Sequence, residues 1–162
     1  MKLKYMFIVC LFNILYAGDI SGVYSVIHDG KESYTEIFKK NNKFYAVGFA
    51  NKNKSNESQE NTLDINNPNP ELRTRPMRGV VFMWNLVAKN EKEYIRGKLY
   101  RFDNGKEYHV NAKQDGNILK LRISKDSKGT MGKTIQWRKM NLDEIKSIQA
   151  ERLDIDTLEL PQ

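Results

Sequence analysis

Short runs of β-branched and aromatic residues recur along this chain and are separated by polar clusters. The runs begin at intervals of roughly ten residues, a rhythm that is typical of an all-β sandwich or barrel. The pattern predicts eight strands, at residues 22–28, 33–39, 43–50, 78–87, 93–101, 106–113, 118–124 and 134–140.

The polar clusters between the predicted strands carry residue pairs that suit tight hairpin turns. Asp29-Gly30, Asn104-Gly105 and Asp115-Gly116 tolerate positive φ angles at low steric cost, and Asn41-Asn42 serves the second and third strands in the same way. Sequential hairpins build an antiparallel up-and-down sheet, and eight strands can close on themselves and remove their exposed edges. We therefore expect an eight-stranded antiparallel up-and-down barrel over residues 18–140.

The connection between the third and fourth predicted strands is long and polar. Residues 51–76 are rich in Asn, Lys, Ser, Glu and Pro. A loop of this length in a small barrel predicts a flap over one end.

After Met140 the apolar residues follow a helical period instead of alternating. Asn141 and Glu144 form a capping-box pattern at the start of this segment. The apolar stripe that follows consists of Leu142, Ile145, Ile148 and Leu153. These residues predict a C-terminal helix of about three turns in the acidic segment 141–162, packed on the outside of the barrel or against one end.

The N-terminus has the pattern of a secretory signal peptide. Lys2 and Lys4 precede an apolar run that reaches Tyr16, and the small residues Ala17 and Gly18 follow. The run is shorter than the ~20 residues that a membrane span needs, so a transmembrane anchor is not expected. We predict that residues 1–17 are removed and that the protein is exported, to the periplasm or outside the cell. The single cysteine of the chain, Cys10, lies in this segment, so the mature domain is stabilised by a hydrophobic core without disulfides.

Charge is distributed unevenly along the chain. The net charge is +7, yet residues 141–162 carry six acidic and two basic residues, a net −4. A basic body with an acidic tail predicts docking of the tail on the barrel first, and contact with an anionic surface second. An exported chain without a recognition motif is not expected to bind nucleic acid.

Three groups of residues in this chain carry a family resemblance. The first is Gly22-Val23-Tyr24 at the start of the first predicted strand, and the second is residues 69–80, from Asn69-Pro70 to Gly79-Val80. The third combines residues 97–108 with Gly132-Lys133-Thr134-Ile135-Gln136-Trp137. Together they resemble a family of small exported bacterial proteins of unknown function with a lipocalin-like barrel, in which the first strand starts with Gly-x-Trp.

The resemblance implies a lipocalin-like fold and a location outside the cytoplasm, and it implies no catalytic residue. It also implies that an aromatic residue of the first strand packs under a basic residue of the last strand at the narrow end. In this chain those residues would be Tyr24 and Arg138.

Motifs for catalysis or metal binding are weak. Gly129 to Thr134 ends in Gly-Lys-Thr, but a phosphate loop needs glycine where Ser127 stands and a helix where a strand is predicted. His28 and His109 are the only histidines, whereas a catalytic zinc site typically has three protein ligands. No nucleophile elbow accompanies the serines. We therefore predict no enzyme activity, no cofactor and no metal.

Alternation along the strands indicates which side chains face the barrel interior. An eight-stranded barrel has room either for a packed interior or for one small ligand. Our leading hypothesis is a non-enzymatic exported protein that binds a small, largely apolar molecule inside the barrel, with a tyrosine or histidine near its polar group. The alternative is a filled barrel that contacts an anionic envelope component or a protein through its basic surface. The predicted ligand-binding residues are Tyr24, Val26, His28, Tyr45, Val47, Phe49, Val81, Met83, Leu99 and Leu121.

Overall fold

Eight antiparallel strands form a closed barrel in which each strand pairs with the next and β8 pairs with β1. The computed structural model describes residues 18–52 and 62–161. The predicted signal peptide and part of the predicted flap, residues 53–61, lie outside the described residues. The strands are β1 Gly22–His28, β2 Lys31–Lys40, β3 Lys43–Asn51, β4 Val81–Ala88, β5 Glu93–Arg101, β6 Lys106–Asp115, β7 Ile118–Ser124 and β8 Gly132–Lys139. The predicted eight-stranded up-and-down barrel is confirmed.

Residues with positive φ angles close the hairpins where the sequence predicted turns. Asp29 and Gly30 have φ angles of 49° and 73° between β1 and β2, and Asn41 and Asn42 have 51° and 59° between β2 and β3. Two consecutive residues of this kind match the twist of the strands that they connect. Gly132 begins β8, so the Gly-Lys-Thr sequence starts a strand.

The barrel interior is packed at the end where β1 begins. Fifteen buried side chains form this interior cluster, which includes Tyr24, Phe44, Leu86, Tyr94 and Leu119. Phe44 and Tyr94 meet edge to face with their ring centroids 5.4 Å apart. The open end of the barrel is the opposite one, which the β1–β2, β3–β4, β5–β6 and β7–β8 connections surround.

Two apolar clusters lie on the outer face of the barrel under the C-terminal segment. The first, which we call the strand cluster, consists of Phe38, Tyr45, Val47, Val81, Trp84 and Tyr100. The second, which we call the helix cluster, consists of Val23, Tyr34, Phe49, Ala50, Met140 and Ile148. Leu153 packs against both, and Ile145 packs against the helix cluster. The C-terminal segment therefore covers outward-facing apolar side chains that would otherwise contact water.

The predicted C-terminal helix is present but is shorter than three turns. Helix α1 spans Leu142–Ser147, and the predicted capping box forms, since Asn141 accepts from the N–H of Glu144 and Glu144 accepts from the N–H of Asn141. Single 3₁₀ turns follow at Gln149–Glu151 and Ile155–Thr157. Leu142, predicted to pack, is 77% exposed.

Ion pairs and hydrogen bonds between charged side chains and the backbone accompany the apolar docking of the tail. Arg138 of β8 donates to the carboxylate of Glu144 at 3.0 Å. Arg78 donates to the carbonyl of Phe49 and to that of Glu151, each at 2.9 Å. The tail thus docks on the barrel as predicted, through apolar contacts with both clusters and through individual charged side chains.

The described part of the β3–β4 connection is organised around a buried aspartate. Asp64 is fully buried and pairs with Arg75, whose Nη2 lies 2.8 Å from Oδ2. The hydroxyl of Tyr100 donates to Asp64 at 2.7 Å, and Asn67 donates to it at the same distance. Asn66 donates to the carbonyl of Phe102 at 2.9 Å, which holds this connection beside the β5–β6 hairpin at the open end.

Candidate ligand-binding cavity

A cavity of about 600 Å³ occupies the open end of the barrel. Its apolar lining side chains from the strands include Val26, Phe82, Leu99, Ile123, Ile135 and Trp137. Polar and charged side chains also line it, among them His28, Ser33, Thr35, Arg101, Asp103 and Lys133. Gly48 of β3 lines the cavity as well, and a Cβ atom built on it meets nothing within 4 Å.

The floor under this cavity is built on Tyr24. Its hydroxyl donates to the carbonyl of Ile20 at 2.8 Å, and its ring centroid lies 6.3 Å from that of Trp137. Burial raises the pKa of Tyr24, with the neighbouring Tyr94 and Asp19 as smaller causes. The phenol therefore stays neutral and serves as a hydrogen-bond donor inside the packed end.

The basic residue over Tyr24 is Lys139 and not Arg138. The Nζ of Lys139 lies 6.0 Å from the Tyr24 ring centroid. The register pairs Tyr24 with Lys139 and Ser25 with Arg138, so Lys139 shares the inward face and Arg138 points outward to Glu144. The predicted partner, Arg138, is wrong by one position. A shift of one residue along a strand moves the side chain to the opposite face of the sheet.

Six of the ten predicted ligand-binding residues lie in the interior or line the cavity from inside the barrel. Val26, His28 and Leu99 line the cavity. Tyr24, Met83 and Leu121 belong to the interior cluster.

Of the other four, Tyr45, Val47 and Val81 belong to the strand cluster under the C-terminal segment, and Phe49, which also borders the cavity, belongs to the helix cluster. The inward orientation expected for Tyr45, Val47 and Phe49 is wrong, because Phe44 and Ala46 fill the inner face of β3. Val81 faces the same outer side, where it pairs in register with Val47.

Sequence reasoning missed three aromatic and apolar residues of the cavity wall, Phe82, Ile135 and Trp137. Lys133, Ile135 and Trp137 occupy every second position of β8 and therefore share one face of the strand. This period of two in the sequence could have identified Ile135 and Trp137 as inward-facing. Phe82 and Trp137 lie on the same wall, with their ring centroids 6.1 Å apart.

Charged groups at the mouth differ in how they are paired. The Nε of Arg101 donates to Asp103 at 3.0 Å, and a second contact joins its Nη2 to the same carboxylate. His28 lies 3.4 Å from Asp29. Burial, together with the hydrogen bond to Asp64, raises the pKa of Tyr100 to about 12. Within the described residues, the mouth therefore holds the Arg101–Asp103 ion pair beside the exposed His28 and the buried Tyr100.

Within residues 18–52 and 62–161, no group of three or more His, Cys, Asp or Glu side chains is placed to hold a metal ion. Over the same residues, no helix has the length and the apolar character needed to cross a membrane.

Comparisons with known proteins agree on a bacterial family and on the fold. Residues 22–139 match the family model described as "Uncharacterized protein conserved in bacteria (DUF2147)". A solved structure, protein HP1028 from Helicobacter pylori, is described as belonging to the lipocalin family. It is 36% identical, with a TM-score of 0.78, and the match covers 86% of this chain and 94% of that chain. A search of curated proteins finds no match.

Proposed function

The chain belongs to the bacterial DUF2147 family of uncharacterised proteins and has a lipocalin-like barrel, and from this premise we propose that it is a non-enzymatic protein that binds a small, largely apolar molecule in the barrel. The observation that carries the proposal is the cavity of about 600 Å³ above the packed floor. A barrel with a filled interior would leave no such space.

The cavity walls suit the body of an apolar ligand. Phe82 and Trp137 present aromatic faces, and Leu99, Ile123 and Ile135 present branched aliphatic groups. Removing apolar ligand surface from water stabilises the complex by about 25 cal/mol per Å², from which the cost of ordering the ligand is subtracted. The closed floor limits how deep the ligand reaches, and the ring of polar groups at the mouth suits a polar end that faces solvent.

We also propose that the protein acts outside the cytoplasm. The support is the charged, apolar and small-residue pattern of residues 1–17. The intact mass of the protein purified from its own organism tests this step. A mature chain that begins at Gly18 is the expected result, and a full-length chain in the cytoplasm would overturn it.

A graded series at Gly48 tests ligand binding. Gly48 lines the cavity and has open space at its Cβ position, so Gly48→Ala, Gly48→Leu and Gly48→Trp place side chains of increasing volume at the cavity wall. The probe is N-phenyl-1-naphthylamine, a neutral apolar dye whose emission rises on burial. Affinity should change little for Ala, fall for Leu and be lost for Trp.

The matched control is Lys113→Trp, because Lys113 is exposed on β6 and does not line the cavity. This variant should bind the dye as the unmodified protein does. Dye binding that is unchanged by Gly48→Trp would overturn the proposal, because the dye would then bind outside the cavity. Dye binding that disappears at high salt would also overturn it, because exposed charge contacts weaken with ionic strength while apolar burial does not. Native mass spectrometry of protein purified from its own organism should then identify the co-purifying molecule.

A further inference from the structure

The inward face of β8 carries two polar groups that differ from the rest of the cavity wall. Lys133, Ile135 and Trp137 lie opposite Ile123, Leu121 and Leu119 in the β7–β8 register, so they share the interior face with those apolar residues. Lysine and tryptophan side chains donate hydrogen bonds and accept none. Lys133 and Trp137 therefore offer the ligand donors and no acceptor.

Trp137 supplies the first donor. The residue is 2% exposed and lines the cavity, and its Nε1–H is buried without a hydrogen-bond partner among the described residues. Its ring contacts, to Tyr24 and Phe82, are aromatic and leave this N–H unused. A buried donor without an acceptor is unfavourable. The atom is closed to a water-sized group in this conformation, so a ligand oxygen satisfies it only when the indole turns toward the cavity.

Lys133 supplies the second donor at the rim. It is exposed, lines the cavity, and has no carboxylate within 4.0 Å in the part of the chain that the structure describes. The carboxylate of Asp103, which also lines the mouth, is held by Arg101. The positive charge of Lys133 is therefore available to a ligand.

The barrel is open beside Lys133. β1 and β8 pair only at Tyr24–Lys139 and Ser25–Arg138, although β1 continues to His28 and β8 begins at Gly132. The N–H of Met140 donates to the carbonyl of Val23, so alternation directs the N–H groups of Thr134 and Gln136 toward the same unpaired seam. A polar ligand group at this seam can therefore reach Lys133 and still contact water.

We propose that the ligand is an acidic amphiphile that carries a second oxygen acceptor at the far end of its apolar body. The anionic head lies against Lys133 at the rim, and the indole of Trp137 turns so that its N–H donates to the distal oxygen. The two Cα atoms lie four residues apart along β8, about 13 Å, so the head and the acceptor lie at opposite ends of a medium-length chain. Hydroxylated or oxo alkanoic acids have this chemistry. The inference rests on the proposed function, since it assigns the polar contacts of the same cavity.

Three ligands of equal chain length test the proposal by titration calorimetry at low salt. They are dodecanol, dodecanoate and 12-hydroxydodecanoate. Dodecanoate should bind about fivefold more tightly than dodecanol, because a partly exposed charge pair contributes on this scale. The hydroxy acid should bind at least as tightly as dodecanoate, whereas an apolar pocket without a free donor would disfavour the added hydroxyl.

Single variants assign each contact to its residue. Lys133→Gln should abolish the preference for dodecanoate over dodecanol, and Trp137→Phe should make the hydroxy acid bind more weakly than dodecanoate. The matched controls are Lys128→Gln, at an exposed lysine outside the cavity lining, and Trp84→Phe, at a tryptophan of the strand cluster. Both controls should retain all three affinities, and circular dichroism verifies that each variant folds.

The possible failures are distinguishable. Equal binding of dodecanol and dodecanoate to the unmodified protein, or a preference that survives Lys133→Gln, would overturn the head-group assignment while the proposed function stands. Weaker binding of the hydroxy acid to the unmodified protein would overturn the role of Trp137. Failure of all three ligands, and of the neutral dye, would overturn the proposed function and this inference with it.

Discussion

Glu36 of β2 and Arg152 of the C-terminal segment form a two-point ion pair on the outer face of the barrel. The Nε of Arg152 donates to Oε2 at 3.0 Å, and its Nη2 donates to Oε1 at 2.5 Å. The side chain of Glu36 is 7% exposed. A carboxylate this buried depends on its partner, because removal of one member of a buried pair leaves an uncompensated charge.

Arg152→Ala should therefore destabilise the protein more than the loss of an ordinary surface pair. We expect the free energy of unfolding to fall by about 2 kcal/mol, less than for a fully buried pair because Arg152 itself is 31% exposed. Urea denaturation followed by circular dichroism measures the change. Glu36→Gln in the Arg152→Ala background should recover part of the loss, since the neutral amide is less costly to bury than the carboxylate.

Lys146→Ala is the matched control for this prediction. Lys146 also pairs within the C-terminal segment, with Asp143 at 3.1 Å, but both side chains are largely exposed. Its removal should cost less than about 0.5 kcal/mol. Equal effects of Arg152→Ala and Lys146→Ala would contradict the structural role of the buried pair.

A second prediction concerns the β7–β8 loop, which is held by the carboxylate of Asp126. Asp126 accepts from the N–H of Met131 at 2.7 Å and from the N–H of Thr130 at 3.0 Å. These bonds, the one from Met131 first, favour the charged form and lower the pKa of Asp126 to about 2. The contribution of this group to stability is therefore present above about pH 4, the ordinary pKa of aspartate, and is lost as the pH falls through about 2.

Carbon-13 NMR of the Asp126 carboxyl group should give a titration midpoint near pH 2. Asp126→Asn should remove this titration and make the unfolding free energy less dependent on pH between about 4 and 2. A midpoint near the ordinary value of about 3.9 would show that the two backbone bonds do not form in solution.

The number and order of the strands were predictable from the recurring apolar runs and because four of the connections carry their own turn chemistry. The Asp29-Gly30 and Asn41-Asn42 pairs adopt the positive φ angles that their residue types favour. The orientation of β3 was not predictable, because apolar residues occupy both of its faces: Phe44 and Ala46 point inward, and Tyr45 and Val47 point to the C-terminal segment. Alternation identifies the inner face only where the other face is polar.

The C-terminal segment illustrates the same limit. Its capping box was readable from Asn141 and Glu144 because those contacts are local. The residues of the segment that become buried depend instead on contacts with strands that are distant in sequence, and Leu142 makes none that bury it. Cavity residues such as Phe82 and Trp137 likewise come together from strands that are distant in sequence.

Two interior glycines provide a third prediction. A Cβ atom on Gly97 of β5 would lie 2.5 Å from Cγ1 of Val110 and 2.8 Å from Cδ1 of Leu86, whereas a Cβ atom on Gly48 would meet nothing within 4 Å. Gly97→Ala should destabilise the barrel by about 1–3 kcal/mol because it overpacks the filled end. Gly48→Ala should leave the thermal midpoint nearly unchanged. A similar loss for both variants would mean that the two ends of the barrel do not differ in packing.

The last prediction concerns the cover that the C-terminal segment provides for Trp84. Leu153 packs against the strand cluster that contains Trp84, and it also packs against the helix cluster. Leu153→Asp places a charge in this apolar contact and should lower the free energy of unfolding by about 2–3 kcal/mol. In a Trp137→Phe background, where Trp84 is the single remaining tryptophan, its emission should shift to the red as water reaches the indole.

Leu142→Asp is the matched control, since Leu142 is 77% exposed. It should change the free energy of unfolding by less than about 0.5 kcal/mol and leave the emission wavelength of Trp84 unchanged. An unshifted Trp84 spectrum in the Leu153→Asp variant would mean that the segment does not shield the strand cluster in solution.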